Sequence, residues 1–360
     1  MSYEDVLSEI IGGIRPTDPA QEQAAWDRLD QLTKPPRSLG KLENLAARVA
    51  RVQGTDHPSV DRKAIVLAAG DHGVVAEGVS PFPQDVTWQM MANFVAGGAA
   101  INQIAGSVGA DLRLYDVGVL SDVSHLPGVR VQKVAAGTAN MALGPAMTRS
   151  EAAQAVLVGV SAARDLVSEG YDLLGTGEMG IGNTTPSAAL TAAFTGAEVS
   201  RVVGRGTGLD DEGVARKADV VRRALEINGI VADGSPQADP LGVLAAVGGL
   251  EIAALAGVVI GAAEQGVCVI ADGFISGAAT LCAIRMCPAC IDYVFPSHLS
   301  VEPGHAVVLQ ALGLDPILEM DMRLGEGTGA ALAMGIVDAA CKMISGMATF
   351  AEASVSGSEQ

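Results

Sequence analysis

The sequence predicts an α/β protein: a Rossmann-like parallel sheet flanked by helices, with a small helical unit formed from the two ends of the chain. Three observations carry this. Short uninterrupted apolar runs, such as residues 64–69, recur along the chain and end in glycine or aspartate, as strands buried on both faces do. Helical stretches separate them, which is the alternation of a parallel sheet. Glycine makes up 44 of the 360 residues, well above the usual share of about 7%, while aromatic residues are only 3%. That composition describes Ala/Val/Leu elements joined by tight turns, and leaves open whether the glycines serve close packing or ligand-cradling loops.

A first helix is read over residues 19–32, with Trp26 and Leu29 on one face, stopped by Lys34-Pro35-Pro36. A second begins at Leu42, places Leu45, Val49 and Val52 at helical spacing, and stops at Gly54. The run 64–69, leading into Gly70-Asp71-His72-Gly73, is the first strand; others are expected at 112–117, 129–134, 171–174, 267–271 and 291–295. Thr148 and Glu151 form a capping box opening a helix that Gly170 closes. After Pro303 the chain turns helical again, most clearly over 330–344. Segments 1–59 and 303–350 are therefore expected to form the helical unit beside a 60–302 sheet unit, and 351–360, rich in serine, to be a flexible tail.

The formal charge is 23 − 41 = −18. Phosphate-backbone binding needs a basic face, so nucleic acid is not an expected partner. Mean hydropathy is +0.33, yet the apolar stretches are cut by charge, as in 252–263 between Glu251 and Glu264, and none reaches the roughly 18 uninterrupted apolar residues of a membrane span. Glu4, Asp5 and Glu9 take the place of a basic signal-peptide start, so a cytoplasmic protein is expected. Five cysteines, an odd number in a long chain, read as reduced thiols.

Three glycine loops suggest chemistry. Gly175-Thr176-Gly177-Glu178-Met179-Gly180 matches the dinucleotide fingerprint after a strand, and equally a tight strand-to-helix turn. Residues 202–211 place Gly204-Arg205-Gly206-Thr207-Gly208 before a helix carrying Arg216 and Lys217, a natural phosphate cradle; Asp210 and Asp211 read there as helix caps. Arg323-Leu324-Gly325-Glu326-Gly327 sets a carboxylate between glycines near apolar surface, where a raised pKa suits a general base, although a loop Glu is more often merely solvated. Asp71-His72 and the His298, Glu302 and His305 segment read as structural or substrate-orienting groups, without metal, because they lack helical His spacing. Cys282, Cys287 and Cys290 have no fourth cysteine nearby and read as plain thiols.

Taken in order, KPPRSLGKLE (34–43), AAGDHGVVAEGVSPFPQDVT (68–87), GGAAIN (97–102), GEMGIGNTTPSAAL (177–190), VGRGTGLDDEG (203–213), ADGFISGAA (271–279), SHLSVEPGH (297–305) and RLGEGTGAALAM (323–334) resemble one family, the nicotinate-nucleotide:dimethylbenzimidazole phosphoribosyltransferases of cobalamin nucleotide-loop assembly. The resemblance implies transfer of phosphoribosyl from nicotinate mononucleotide to 5,6-dimethylbenzimidazole, giving α-ribazole 5'-phosphate and nicotinate with inversion. It implies Glu326 as general base, Glu178 as the carboxylate beside the ribosyl centre, and Lys217 with the amides of Gly177, Gly204 and Thr207 as a phosphate clamp. It places Ser80, Gln89, Met179 and Leu324 around the acceptor base, with Gly180, Asn183, Arg205, Gly206, Gly208, Ser297 and Gly325 as further substrate contacts. It implies no cofactor or metal, small-molecule substrates as partners, and a homodimer; the three clustered cysteines lie outside the family pattern.

Two rival readings are a dinucleotide-dependent oxidoreductase, resting on 175–180 alone, and a non-catalytic nucleotide-binding regulator. The first predicts cofactor binding without breakdown, the second binding without product.

Overall fold

The computed structural model describes residues 1–234, 237 and 239–356. Its core is a six-stranded, wholly parallel sheet: β1 (Lys63–Gly70), β2 (Ala110–Gly118), β3 (Val129–Val131), β4 (Leu173–Met179), β5 (Cys268–Ala271) and β6 (Val294–Pro296), in the order β3-β2-β1-β4-β5-β6. A two-stranded parallel pair, β7 (His298–Leu299) and β8 (Leu318–Glu319), lies beyond β6 in the chain. The strand order reverses between β1 and β4, and the crevice outside the carboxyl ends of such strands is where open α/β sheets bind ligands.

Side chains alternate across the sheet as a two-residue period requires. On β1, Ala64, Val66 and Ala68 enter one core and Ile65, Leu67 and Ala69 the other. The first core holds the helices Arg149–Ser168 and Leu250–Gln265, which cross so closely that a Cβ on Gly159 would stand 1.8 Å from the Ala254 carbonyl oxygen. Part of the glycine excess therefore serves helix packing. The second core holds Pro19–Leu29, Lys41–Gln53 and Thr328–Gly346. The last of these is long and apolar enough to cross a membrane, but Ala330, Ala333, Met334 and Val337 pack it against the sheet. The chain ends meet there, with Thr33 donating to the Ala348 carbonyl and Leu32 bridging Thr349. The first helix, Tyr3–Gly13, instead packs in the other core, against Arg149–Ser168.

Several expectations shift. The capping box at Thr148 and Glu151 is present. The expected helix 19–32 stops at Leu29, because Leu32 is taken by the bridge to Thr349. The strand expected at 129–134 ends at Val131, and that expected at 171–174 starts at Leu173 and continues to Met179. Residues 175–179 thus lie inside β4 rather than in a strand-to-helix turn, which removes the fingerprint from the position the oxidoreductase reading needs. The reason is packing: a Cβ on Gly175 would be 2.8 Å from Met334 Cε, so the small residues make room for the last helix. Of the tail, 351–354 form a turn, and 357–360 fall outside the described residues.

Candidate active site

The carboxyl ends of β4 and β5 open into a cleft of about 520 Å³. β4 runs directly into it, so Glu178, Met179 and Gly180 form its floor, and Asn183 and Thr184 follow at the start of the helix Thr184–Thr195. Glu178 is 6% exposed; the Asn183 amide donates to its Oε2 and the Glu326 backbone N–H also points at it. Burial, then the charges of Asp272 and Glu251, push its pKa up to about 8 despite those donors.

Opposite stands the loop 323–327, in which Arg323, Leu324, Gly325 and Glu326 all face the cleft. The backbone is left-handed at three successive residues, Gly325 (φ +86°), Glu326 (+62°) and Gly327 (+88°). Such a conformation is unusual for a residue with a side chain and turns Glu326 inward. Its carboxyl pKa is raised, chiefly by burial and further by Asp272, against the pull of the Ile101 backbone N–H. Among the described residues Glu326 Oε2 has no hydrogen-bond partner, which leaves a lone pair free to accept a proton.

A third carboxylate, Asp272, stands one residue past β5 and is 1% exposed, with its pKa pushed up to about 6 by burial. Its neighbour His298 is held neutral, with a pKa lowered to about 4 by burial, and is hydrogen-bonded through Nδ1 to Ser297 Oγ at 2.9 Å. The far end of the cleft is formed by Ser276, Ser300 and Glu302 with Thr184, Gly206 and Thr207. Glu302 Oε1 accepts the Gly206 N–H at 2.9 Å, while Glu302 Oε2 and Ser276 Oγ are unpartnered among the described residues. Phe82, Val86, Met90, Met179, Ile181 and Leu324 make an apolar wall wide enough for a flat ring.

The family model described as "Phosphoribosyltransferase" matches residues 14–355. Two curated relatives, from Desulforudis audaxviator and Chloroflexus aggregans, are named nicotinate-nucleotide–dimethylbenzimidazole phosphoribosyltransferase; they are 51% and 50% identical, with 98% of each chain covered. The crystal structure of the protein of that name from Thermus thermophilus superposes with a TM-score of 0.89 at 50% identity, covering 95% of this chain and 100% of that one. The chain belongs to the nicotinate-nucleotide–dimethylbenzimidazole phosphoribosyltransferase family.

Of the residues the resemblance implies, Glu178, Met179, Gly180, Asn183, Gly206, Thr207, Leu324, Gly325 and Glu326 are brought together in the one cleft. Ser80 stands at its rim, its Oγ 3.5 Å from Thr207 Oγ1. Gln89 is exposed and outside the lining, while Val86 and Met90 of the same helix face inward. Gly177 is buried within β4, and Ser297 is buried behind the wall, its Oγ donating to the Asp272 carbonyl at 2.8 Å. Gly204, Arg205 and Gly208 line an adjoining groove that shares Glu302 and Arg323 with the cleft. Lys217 is fully buried behind Thr184 and Gly206, its Nζ donating to Thr184 Oγ1 at 2.6 Å and to the Gly204 carbonyl at 3.3 Å. Burial lowers the Lys217 pKa to about 8, opposed by Glu302.

Sequence reasoning gave no substrate role to Asp272, Ser276, Ser300 or Phe82. For Asp272 there was a signal, an acid immediately after a buried parallel strand; for Ser276, in the first turn of the helix Phe274–Met286, and for Ser300 and Phe82 there was none, since which of them reach the cleft depends on how those segments pack. The cysteines are all buried and unpaired, and no cluster of three or more His, Cys, Asp or Glu with metal-site geometry occurs among the described residues.

Proposed function

We propose that the protein transfers the phosphoribosyl group of nicotinate mononucleotide to 5,6-dimethylbenzimidazole, releasing nicotinate and forming α-ribazole 5'-phosphate. The observation that carries the reading is Glu326: a buried carboxylate with one free oxygen, turned by left-handed backbone into a cleft with an apolar wall. One nitrogen of the acceptor attacks the anomeric carbon while Glu326 removes the proton from the other. A positioned base contributes about 10²–10⁴-fold.

The donor is a pyridinium, so breaking its glycosidic bond returns the electron pair to the ring nitrogen, which leaves uncharged in the departing nicotinate. Glu178 answers to this charge. Burial raises its pKa, and a cationic ring and an oxocarbenium-like ribosyl centre beside it favour its ionised form, which then stabilises the developing charge. Attack from the face opposite to departing nicotinate inverts the anomeric carbon. The phosphate is assigned to the far end, where the Lys217 ammonium lies behind Thr184 and Gly206, with the amides of Gly204 and Thr207, and where the first turn of the helix Phe274–Met286 presents Ser276. Ser80, Met179 and Leu324 border the acceptor.

In this reading 60–302 binds the mononucleotide, and 1–59 with 303–350 forms the unit that delivers the Glu326 loop. The shared core of the helices Pro19–Leu29, Lys41–Gln53 and Thr328–Gly346 supports it, and Tyr3–Gly13 and Pro303–Leu312, which pack in the other core, are exceptions. The working form is taken to be a cytoplasmic homodimer, consistent with buried thiols kept reduced and with exposed apolar side chains such as Leu143 at 71%.

Incubation of the protein with both substrates, with products identified by mass, tests the assignment. Release of nicotinate with formation of the α-nucleotide is expected, and an intact mononucleotide would overturn it. Adenine or phenolic competitors in the same tube define acceptor preference, where pocket differences are worth about 1–3 kcal/mol.

A further inference from the structure

We propose that Asp272 is a positioning residue for the Glu326 base, acting from another element as the cap of the helix behind the loop. The inference rests on the role given to Glu326 above.

The helix Thr328–Gly346 begins with Gly327 in the N-cap position, which has no side chain to accept its first amides. Asp272 accepts them instead, Oδ2 from the Gly327 N–H at 3.1 Å and Oδ1 from the Ala330 N–H at 3.0 Å. The carboxylate also sits at the positive end of the helix dipole. Its backbone is anchored to the sheet, the Asp272 N–H donating to Thr176 Oγ1 on β4 at 3.2 Å, and the carboxylate lies close against Gly329, where a Cβ would stand 2.9 Å from Oδ1. Gly325 and Gly327 adopt positive φ freely, but Glu326 does not, and strain of that kind persists only where the surroundings impose it. The amide immediately after Glu326 is the one Asp272 holds. Loss of that bond frees the backbone between base and helix.

The arrangement also sets the electrostatics of the site. Glu326 is faced by the Asp272 carboxylate and the Ile101 amide; Glu178 by Asp272 and by Glu251, whose Oε1 lies 2.6 Å from His72 Nε2; Asp272 by neutral His298, its Nδ1 at 3.9 Å. Removing the Asp272 charge lowers the affinity of both glutamates for protons.

The test is Asp272→Asn in the full chain, which keeps the shape and one acceptor. We expect kcat to fall about 10–100-fold with the KM for the mononucleotide within about twofold, as for a misplaced base. The acid limb of the pH profile should move to lower pH. Combined with Glu326→Gln, the substitution should add no further loss, since both act through one group. Amide hydrogen exchange supplies a readout that needs no turnover: residues 325–330 should exchange about tenfold faster or more, with the rest of the protein unchanged. A raised KM with unchanged kcat would make Asp272 a substrate contact and overturn the proposal. So would unchanged exchange at 325–330, or a variant unfolded throughout. If the wild-type protein releases no nicotinate, the functional reading fails by itself, and the exchange result alone decides whether Asp272 holds the loop.

Discussion

The backbone of Glu326 lies directly on Gly177 of β4: a Cβ at 177 would stand 2.6 Å from the Glu326 carbonyl oxygen. A side chain there cannot be accommodated without lifting the loop that carries the base. Gly177→Ala is expected to cost about 1–3 kcal/mol of stability by overpacking and to lower kcat at least about tenfold. Thermal unfolding and steady-state kinetics check both, and unchanged kcat would show that the loop tolerates displacement.

Glu326→Gln replaces the base by an isostere that keeps the left-handed turn. Transfer should fall about 10²–10⁴-fold while Tm stays within a few degrees. Near-wild-type nicotinate release would move the base role elsewhere.

Glu178 has a pKa of about 8 in the folded protein against 4.5 for the free group. Between those values the native state binds the extra proton, so stability falls as pH rises from 4.5 to 8. Glu178→Gln removes the charge, and its Tm should exceed that of the wild type at about pH 8, with the gap closing toward about pH 5. The difference is on the order of a few kcal/mol. A constant gap across this range would contradict the raised pKa. Turnover should fall in the same variant, because a neutral amide cannot ionise beside the pyridinium.

Lys217 is fully buried, and methionine matches its length without a charge. Lys217→Met should raise the KM for the mononucleotide about tenfold or more with a smaller change in kcat, the signature of a contact made equally in ground and transition states. A loss confined to kcat would place Lys217 at the reacting centre instead of the phosphate.

Local chemistry was readable where residue type and spacing are sufficient by themselves. The short apolar run 64–69 closed by Gly70 reads as a buried strand and is one, and Thr148 with Glu151 caps a helix through contacts three residues apart. β4 was harder to read, since Gly175-Thr176-Gly177 has none of the branched apolar character of a strand and is held straight by neighbours distant in sequence. Gln89 illustrates the same limit: which face of Val86–Ala96 meets the cleft depends on how the helix docks, and Val86 and Met90 take that face.

Sequence by itself determined the parallel α/β class, the two glutamates in glycine-rich segments and the family to which they point. Only the tertiary structure decided that Glu178, Asp272 and Glu326 share one cleft, that Lys217 stands behind its wall, and that the pKa of Glu178 rises to about 8. The division has a physical cause. A residue's chemistry and its local backbone preference are encoded by its type and neighbours, whereas desolvation, charge–charge proximity and close backbone approach exist only after segments distant in sequence have packed together.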